Sequence, residues 1–173
     1  MLDLTSGPLG GAGLLEMKRL IAQILTRARH AGWNRWQLAE VILQFVQRVI
    51  TYAEDQPTTG HSEYGRFPLQ TLLDGEGDCE CTALLCCALL SHLGYESALA
   101  LTTSTNGTGH ALSALRPPPD LPAFYTATAS TRPADPWLFG ETTLDDQVLP
   151  WLPHHPPGVA KVERIVPIPV FTL

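Results

Sequence analysis

The sequence predicts an α+β protein in which helices come first and an antiparallel β-sheet follows. Two amphipathic helical patterns occupy the first fifty residues. A third helical run, from residue 79 to residue 93, is apolar on nearly every side, and a helix without a polar face is buried. Beyond it, short apolar or alternating runs lie between glycine and proline clusters, which favours strands over further helices.

The N-terminal segment, residues 1–13, holds four glycines and one proline and predicts a flexible lead-in. The remaining residues, 14–173, are long enough for one compact domain. A first helix follows from Leu14 and stops at Gly32. Asn34 is suited to cap a second helix, and the i, i+3, i+4 pattern assigns its apolar side to the core and its polar side, including Gln47, to water.

The second half of the chain carries the strand signals. Residues 95–103 and 110–116 flank a glycine-containing loop and predict a β-hairpin, so that His110 opens the second strand. Residues 124–129 and 137–143 are further strand candidates. Residues 162–170 predict an edge strand, since two prolines interrupt the run.

Cys79 lies at the N-terminal tip of the predicted buried helix. Unpaired N–H groups and the positive end of the helix dipole favour a thiolate there and can bind an oxyanion. Asp78 and Glu80 act in the opposite sense, because a second anion beside them is disfavoured. Cys79 is therefore a candidate nucleophile that needs a cationic partner from elsewhere, and the alternative is a small buried cysteine with a purely structural role.

Composition narrows the classes of partner. The net charge is −6, the isoelectric point is about 5.4 and no basic run is present, which argues against nucleic acid or an anionic membrane as the partner and favours a small molecule or a peptide. No apolar run reaches the roughly 18 residues of a membrane span, and the start of the chain is unlike a signal peptide. The clustered cysteines are expected to be reduced, as in the cytoplasm. No oligomeric state is predicted.

Metal and cofactor sites are not predicted. The cysteine spacing C-x-C-x4-C-C lacks the paired C-x2-C of zinc sites. The alternating acidic residues from 74 to 80 lack the turn glycine and the terminal glutamate of a calcium loop. A Gly-Glu-Gly run without a third glycine is no dinucleotide fingerprint.

The imidazole partner of the thiol is identified by elimination. His92 lies more than three turns along the same helix, at about 1.5 Å per residue, and cannot reach the thiol. His30 lies near a helix end, where a solvated imidazole is expected. His154-His155 lies among prolines, and His61 lies in a polar loop that could line a cleft. His110 remains, and Glu141 on a later strand is a candidate to orient it.

Three motifs occur in a fixed order along the chain. They are Phe67-Pro-Leu-Gln-Thr-Leu-Leu-Asp-Gly-Glu-Gly-Asp-Cys-Glu-Cys-Thr-Ala-Leu-Leu85, then Gly109-His-Ala111, then Gly140-Glu-Thr-Thr143. This combination resembles the bacterial and archaeal transglutaminase-like domains of the papain-like cysteine peptidase superfamily. The resemblance extends from about residue 38 to residue 144.

The resemblance implies a papain-like core and a thiol acyl-transfer activity on peptide or isopeptide amides, without a cofactor. It implies Cys79 as the nucleophile, His110 as the general acid and base, and Glu141 in the place of the acidic orienting residue. Tyr64, Gln70 and Asp78 are candidates for contacts with the substrate or the oxyanion. Hydrolysis is expected ahead of crosslinking, and two alternatives are a catalytically silent peptide-binding module and an accessory domain that acts through residues 52–70.

Overall fold

The computed structural model describes residues 10–54, 65–123, 125, 137–143 and 148–170. Helices and a four-stranded antiparallel sheet confirm the predicted α+β class. The elements in chain order are α1 (Gly10–Ala31), α2 (Arg35–Val49), β1 (Thr51–Tyr52), α3 (Pro68–Asp74), β2 (Glu76–Gly77), α4 (Cys79–His92), β3 (Ser97–Ser104), β4 (Gly109–Leu115), β5 (Leu138–Gly140) and β6 (Val159–Ile168).

The first two helices follow the predicted pattern with two differences. Helix α1 begins at Gly10, so residues 10–13 of the expected lead-in are helical, because adding a turn to an existing helix is far easier than starting one. Residues 1–9 lie outside the described part of the chain. Asn34 caps α2 as expected, and its side chain accepts from the backbone N–H of Gln37 at 2.8 Å. Gln47, expected in water, is buried.

The sequence did not reveal the short helix α3. It begins with Pro68 and ends at Asp74, and the following Gly75 caps it with a left-handed φ of 71°. Helix α4 begins at Cys79 as predicted and ends before Gly94. Because α3 packs against α4, the residues before the acidic loop form part of the scaffold.

The sheet has the strand order β5-β4-β3-β6, all antiparallel. The predicted hairpin is confirmed, with β3 paired to β4 from Ser97↔Leu115 to Thr103↔Gly109. The edge strand β6 is also confirmed and begins earlier than expected. Strand β5 is only three residues long, because its ladder ends at Ser113↔Gly140.

One strand candidate is wrong where it can be tested. Tyr125, in the candidate strand 124–129, lies in a helical turn, and its backbone N–H donates to the carbonyl of Pro122 at 2.9 Å. The other residues of that candidate lie outside the described residues.

The core forms on both faces of the sheet. Helix α4 is buried between α2 and one sheet face, where the hydroxyl of Ser113 donates to the carbonyl of Ala83 at 3.1 Å. Full burial of one large aliphatic side chain stabilises the fold by about 1.5–3 kcal/mol. Among the described helices, none combines the length and apolar character needed to span a membrane. The fully buried large side chains on the helical side include Ile21, Ile42, Leu43, Leu85, Leu89, Leu90, Leu115 and Trp151.

Candidate active site

Cys79 is the first residue of α4 and is only half-buried. Asp78 caps the helix, and its Oδ1 accepts from the backbone N–H of Cys81 at 2.9 Å. A Cβ on Gly77 would lie 2.7 Å from the Cβ of Cys81 and 3.3 Å from Thr71, so only glycine fits there. In the Gly-Asp-Cys motif, glycine is therefore required sterically, aspartate caps the helix, and cysteine presents its thiol at the helix tip.

Tyr52 is a residue of this site that the sequence did not single out. Strand β1 pairs in parallel with β2, with Tyr52 opposite Gly77, and the N–H of Ala53 donates to the carbonyl of Gly77 at 3.0 Å. The pKa of Tyr52 is raised by burial and by the charges of Cys79 and nearby carboxylates. Tyr52 is thus close enough to the helix tip for the charge of Cys79 to act on its hydroxyl, and it lies on a two-residue strand that is too short for any periodic signal.

His110 and Glu141 form a close pair. The Nε2 of His110 lies 2.7 Å from the Oε2 of Glu141. The other carboxylate oxygen, Oε1, accepts from the N–H of Thr143 at 3.0 Å and from its hydroxyl at 2.7 Å. Because both carboxylate oxygens are engaged and Glu141 is buried, the orientation of the imidazole is fixed.

The segment that carries Glu141 is held by side chains from two helices. The Nε2 of Gln47 donates to the carbonyl of Glu141 at 2.6 Å and to that of Leu149 at 3.0 Å. The hydroxyls of Thr82 and Thr142 lie 2.9 Å apart, both fully or nearly fully buried. The buried side chain of Gln47 therefore connects α2 to the segment that carries Glu141.

Gly140, which opens the Gly-Glu-Thr-Thr motif, is required sterically. A Cβ there would lie 2.8 Å from a ring carbon of Trp151 and 3.0 Å from a methyl of Leu43. Gly109, which precedes the imidazole, has nothing within 4 Å of such a Cβ. Close contacts therefore require glycine at position 140 but not at position 109.

The thiol and the imidazole lie at the same end of α4. The sulfur of Cys79 accepts a hydrogen bond from the backbone N–H of Ala111, the residue after His110. The charge of Glu80 acts on the His110 ring. With Nε2 directed to Glu141, the ring nitrogen left for proton exchange with the thiol is Nδ1.

The charge states of these groups follow from their surroundings. Burial raises the pKa of Cys79 to about 12, with Glu80 and Asp78 adding to the shift and the Ala111 N–H opposing it. The hydrogen bond to Glu141 raises the pKa of His110. Burial opposes ionisation of Glu141, but His110 and Thr143 outweigh it, so the pKa of Glu141 is lowered. The free site holds a neutral thiol next to an imidazolium–carboxylate pair at mildly acid pH.

The other predicted site residues occupy different positions. Gln70 lies half-buried in α3, and the carboxylate of Asp78 accepts the capping hydrogen bond. Tyr64 and His61 lie outside the described residues. The side chains of the other three cysteines, Cys81, Cys86 and Cys87, are buried. Across the described positions, no three His, Cys, Asp or Glu side chains converge as metal ligands would.

Comparisons with known proteins give structural similarities only. No family model and no curated protein matches the sequence. A solved transglutaminase has a TM-score of 0.48 and 11% identity over 64% of this chain and 31% of its own. The EGTA-treated form of Legionella pneumophila LapG has a TM-score of 0.44 and 21% identity over 65% of this chain and 54% of its own. The calcium-bound form of LapG has a TM-score of 0.43 and 18% identity over 75% of this chain and 76% of its own.

This chain therefore spans about a third of the transglutaminase chain and about half of the EGTA-treated LapG chain.

Proposed function

We propose that the chain is a transglutaminase-like thiol acyl-transfer enzyme that hydrolyses peptide or isopeptide amides. The observation that supports this most strongly is the 2.7 Å contact between His110 and Glu141 at the helix tip that carries Cys79. A half-exposed thiol, an imidazole and an acceptor that orients the imidazole are the three groups that nucleophilic cysteine catalysis needs.

In the first half-reaction, the thiol of Cys79 gives its proton to Nδ1 of His110, and the sulfur attacks the amide carbonyl carbon. Glu141 stabilises the imidazolium that results. Backbone N–H groups in the first turn of α4 stabilise the negative charge on the carbonyl oxygen, and the Tyr52 hydroxyl is a candidate for a second donor. The tetrahedral intermediate collapses to a thioester as the imidazolium protonates the leaving amine.

In the second half-reaction, His110 removes a proton from water, and the oxygen attacks the thioester carbonyl. The C–S bond of the thioester then breaks, and the imidazolium returns its proton to the sulfur, which leaves a carboxylic acid and the free thiol. An amine in the place of water would give transamidation by the same steps. Hydrolysis is proposed here because water can reach a half-buried thiol.

One observation favours a different class of function, a peptide-binding module without turnover. The thiol of Cys79 donates to Glu80 at 3.3 Å, and its pKa of about 12 keeps it protonated. A module of this kind would need the cleft but not a proton transfer to His110.

Electrophile labelling separates the two functions. We expect a peptidyl vinyl sulfone to label Cys79, located by peptide mass spectrometry, at a rate that falls at least about tenfold in His110→Ala. His154→Ala, at an exposed histidine, is the matched control and should label like the wild type. Equal labelling of the wild type and His110→Ala would leave only the binding module.

A further inference from the structure

Glu80 is the charged residue nearest to the thiol along α4. It lies in the first turn, one residue after Cys79, and its side chain is exposed. The sulfur of Cys79 donates to its Oε2 at 3.3 Å. The thiol proton therefore points to a carboxylate oxygen and not to the imidazole that the reaction requires.

Four other titratable groups surround Glu80. Asp78 and Cys79 flank it at the helix start, His110 faces it from β4, and Tyr52 faces it from β1. Glu80 is exposed as a residue, but partial loss of solvent around its carboxylate and the charge of Asp78 raise its pKa, while the Cys79 thiol stabilises its ionised form. Glu80 thus changes charge above the ordinary range of a glutamate, in the same cleft where the thiol must lose its proton.

We propose that Glu80 is a positioning residue that holds the Cys79 thiol protonated and directed away from His110 until its own charge is neutralised. This inference rests on the proposed function, since it concerns the same nucleophile. When that charge is removed, the side chain no longer repels an anion on the sulfur, and the thiol proton can pass to Nδ1 of a neutral His110 imidazole. Glu80 would therefore act as a brake on the enzyme that is strongest when the residue is ionised.

A simpler role for Glu80 has to be separated from this one. A carboxylate in the first turn of a helix stabilises the helix through the dipole, whatever lies beside it. That role predicts a change in stability upon substitution, but no change in thiol chemistry that depends on pH.

The test is the rate of Cys79 alkylation by iodoacetamide as a function of pH, read by mass spectrometry of the full chain. The other three cysteines are at most 1% exposed, which directs alkylation to Cys79. We expect Glu80→Gln to react about tenfold faster than the wild type at neutral pH, equivalent to a thiol pKa lower by about one unit. The rate ratio should fall toward one as the pH drops through the pKa of Glu80, because wild-type Glu80 is then neutral too.

Two control variants complete the test. Glu80→Asp keeps the charge and should stay within about threefold of the wild type. Glu96→Gln removes the same charge beyond the far end of α4 and should leave the rate unchanged. If the alkylation rate of Glu80→Gln equals that of the wild type, or if the ratio of the two rates is constant with pH, the proposed role of Glu80 is overturned. Failure of the proposed function is a separate result, since it appears as an alkylation rate unaffected by His110→Ala.

Discussion

The Nε2 of His110 lies 2.7 Å from the Oε2 of Glu141, although 31 residues separate them along the chain. The register of the sheet brings them together. The β4–β5 ladder ends at Ser113↔Gly140, so β5 stops one residue before Glu141 and leaves space beside β4 for the carboxylate to reach the ring. The pairing of two short strands thus determines the orientation of the imidazole.

Glu141→Gln is expected to lower the pKa of His110. The hydrogen bond to the Glu141 carboxylate is the largest cause of the raised value, and a neutral amide cannot stabilise the imidazolium in the same way. Titration of the His110 ring protons by NMR should show a lower pKa in Glu141→Gln than in the wild type. Glu96→Gln is the control for net charge, and an unchanged His110 pKa in Glu141→Gln would contradict the pairing.

The Cys79 thiol is expected to stay protonated at neutral pH. Burial and two adjacent carboxylates raise its pKa to about 12, so no preformed thiolate–imidazolium pair should exist in the free protein. The thiolate absorbance of the wild type minus that of Cys79→Ser, recorded after rapid pH jumps, should appear only in strongly alkaline solution. A Cys79-dependent thiolate signal that titrates near pH 7 would be incompatible with this arrangement.

Gly140→Ala should destabilise the fold, because the added methyl group meets the ring of Trp151 at 2.8 Å and Leu43 at 3.0 Å. Overpacking of this kind costs about 1–3 kcal/mol in the free energy of unfolding, measured by urea denaturation. Gly109→Ala is the matched control in the other glycine motif, where the methyl group has open space and the change should stay within about 0.5 kcal/mol. Equal effects of the two substitutions would show that the close contact is not what selects glycine at position 140.

Asp78→Ala should remove the cap of α4. Its carboxylate accepts from the backbone N–H of Cys81, and loss of such a cap costs about 1 kcal/mol in the free energy of unfolding. Asp78→Asn keeps an acceptor oxygen and should recover most of that stability. If both variants are equally unstable in urea, the charge of Asp78 and not its capping hydrogen bond stabilises the helix start.

Periodicity was sufficient to predict the large elements. The i, i+3, i+4 pattern after Asn34 and the uniformly apolar run after Cys79 predict α2 and α4 with their starts, because long helices bury many residues in register. The hairpin is predicted by its alternation and its loop. Helix α3 was missed, although Pro68 at its start and Gly75 just after its end form a recognisable pair of signals.

Tertiary contacts determine the positions of residues that the periodicity of the sequence does not predict. Gln47 has the spacing of a solvent-facing residue, yet two backbone carbonyls from a distant segment draw it into the core. Strand β1 has two residues, too few for any pattern, and it carries Tyr52 to the helix tip. Three predicted site residues, Cys79, His110 and Glu141, lie at one end of the molecule, and their contacts with Ala111 and Thr143 depend on strand register.

The most direct test of the central claim is the trapping of an acyl-enzyme. p-Nitrophenyl acetate should transfer one acetyl group to Cys79 of the wild type, detected by mass spectrometry of the full chain and located by peptide mapping. The adduct should be absent in Cys79→Ser and should form at least about tenfold more slowly in His110→Ala. Acetylation that proceeds at the same rate in His110→Ala, or that maps away from Cys79, would contradict the proposal that this thiol and this imidazole act together.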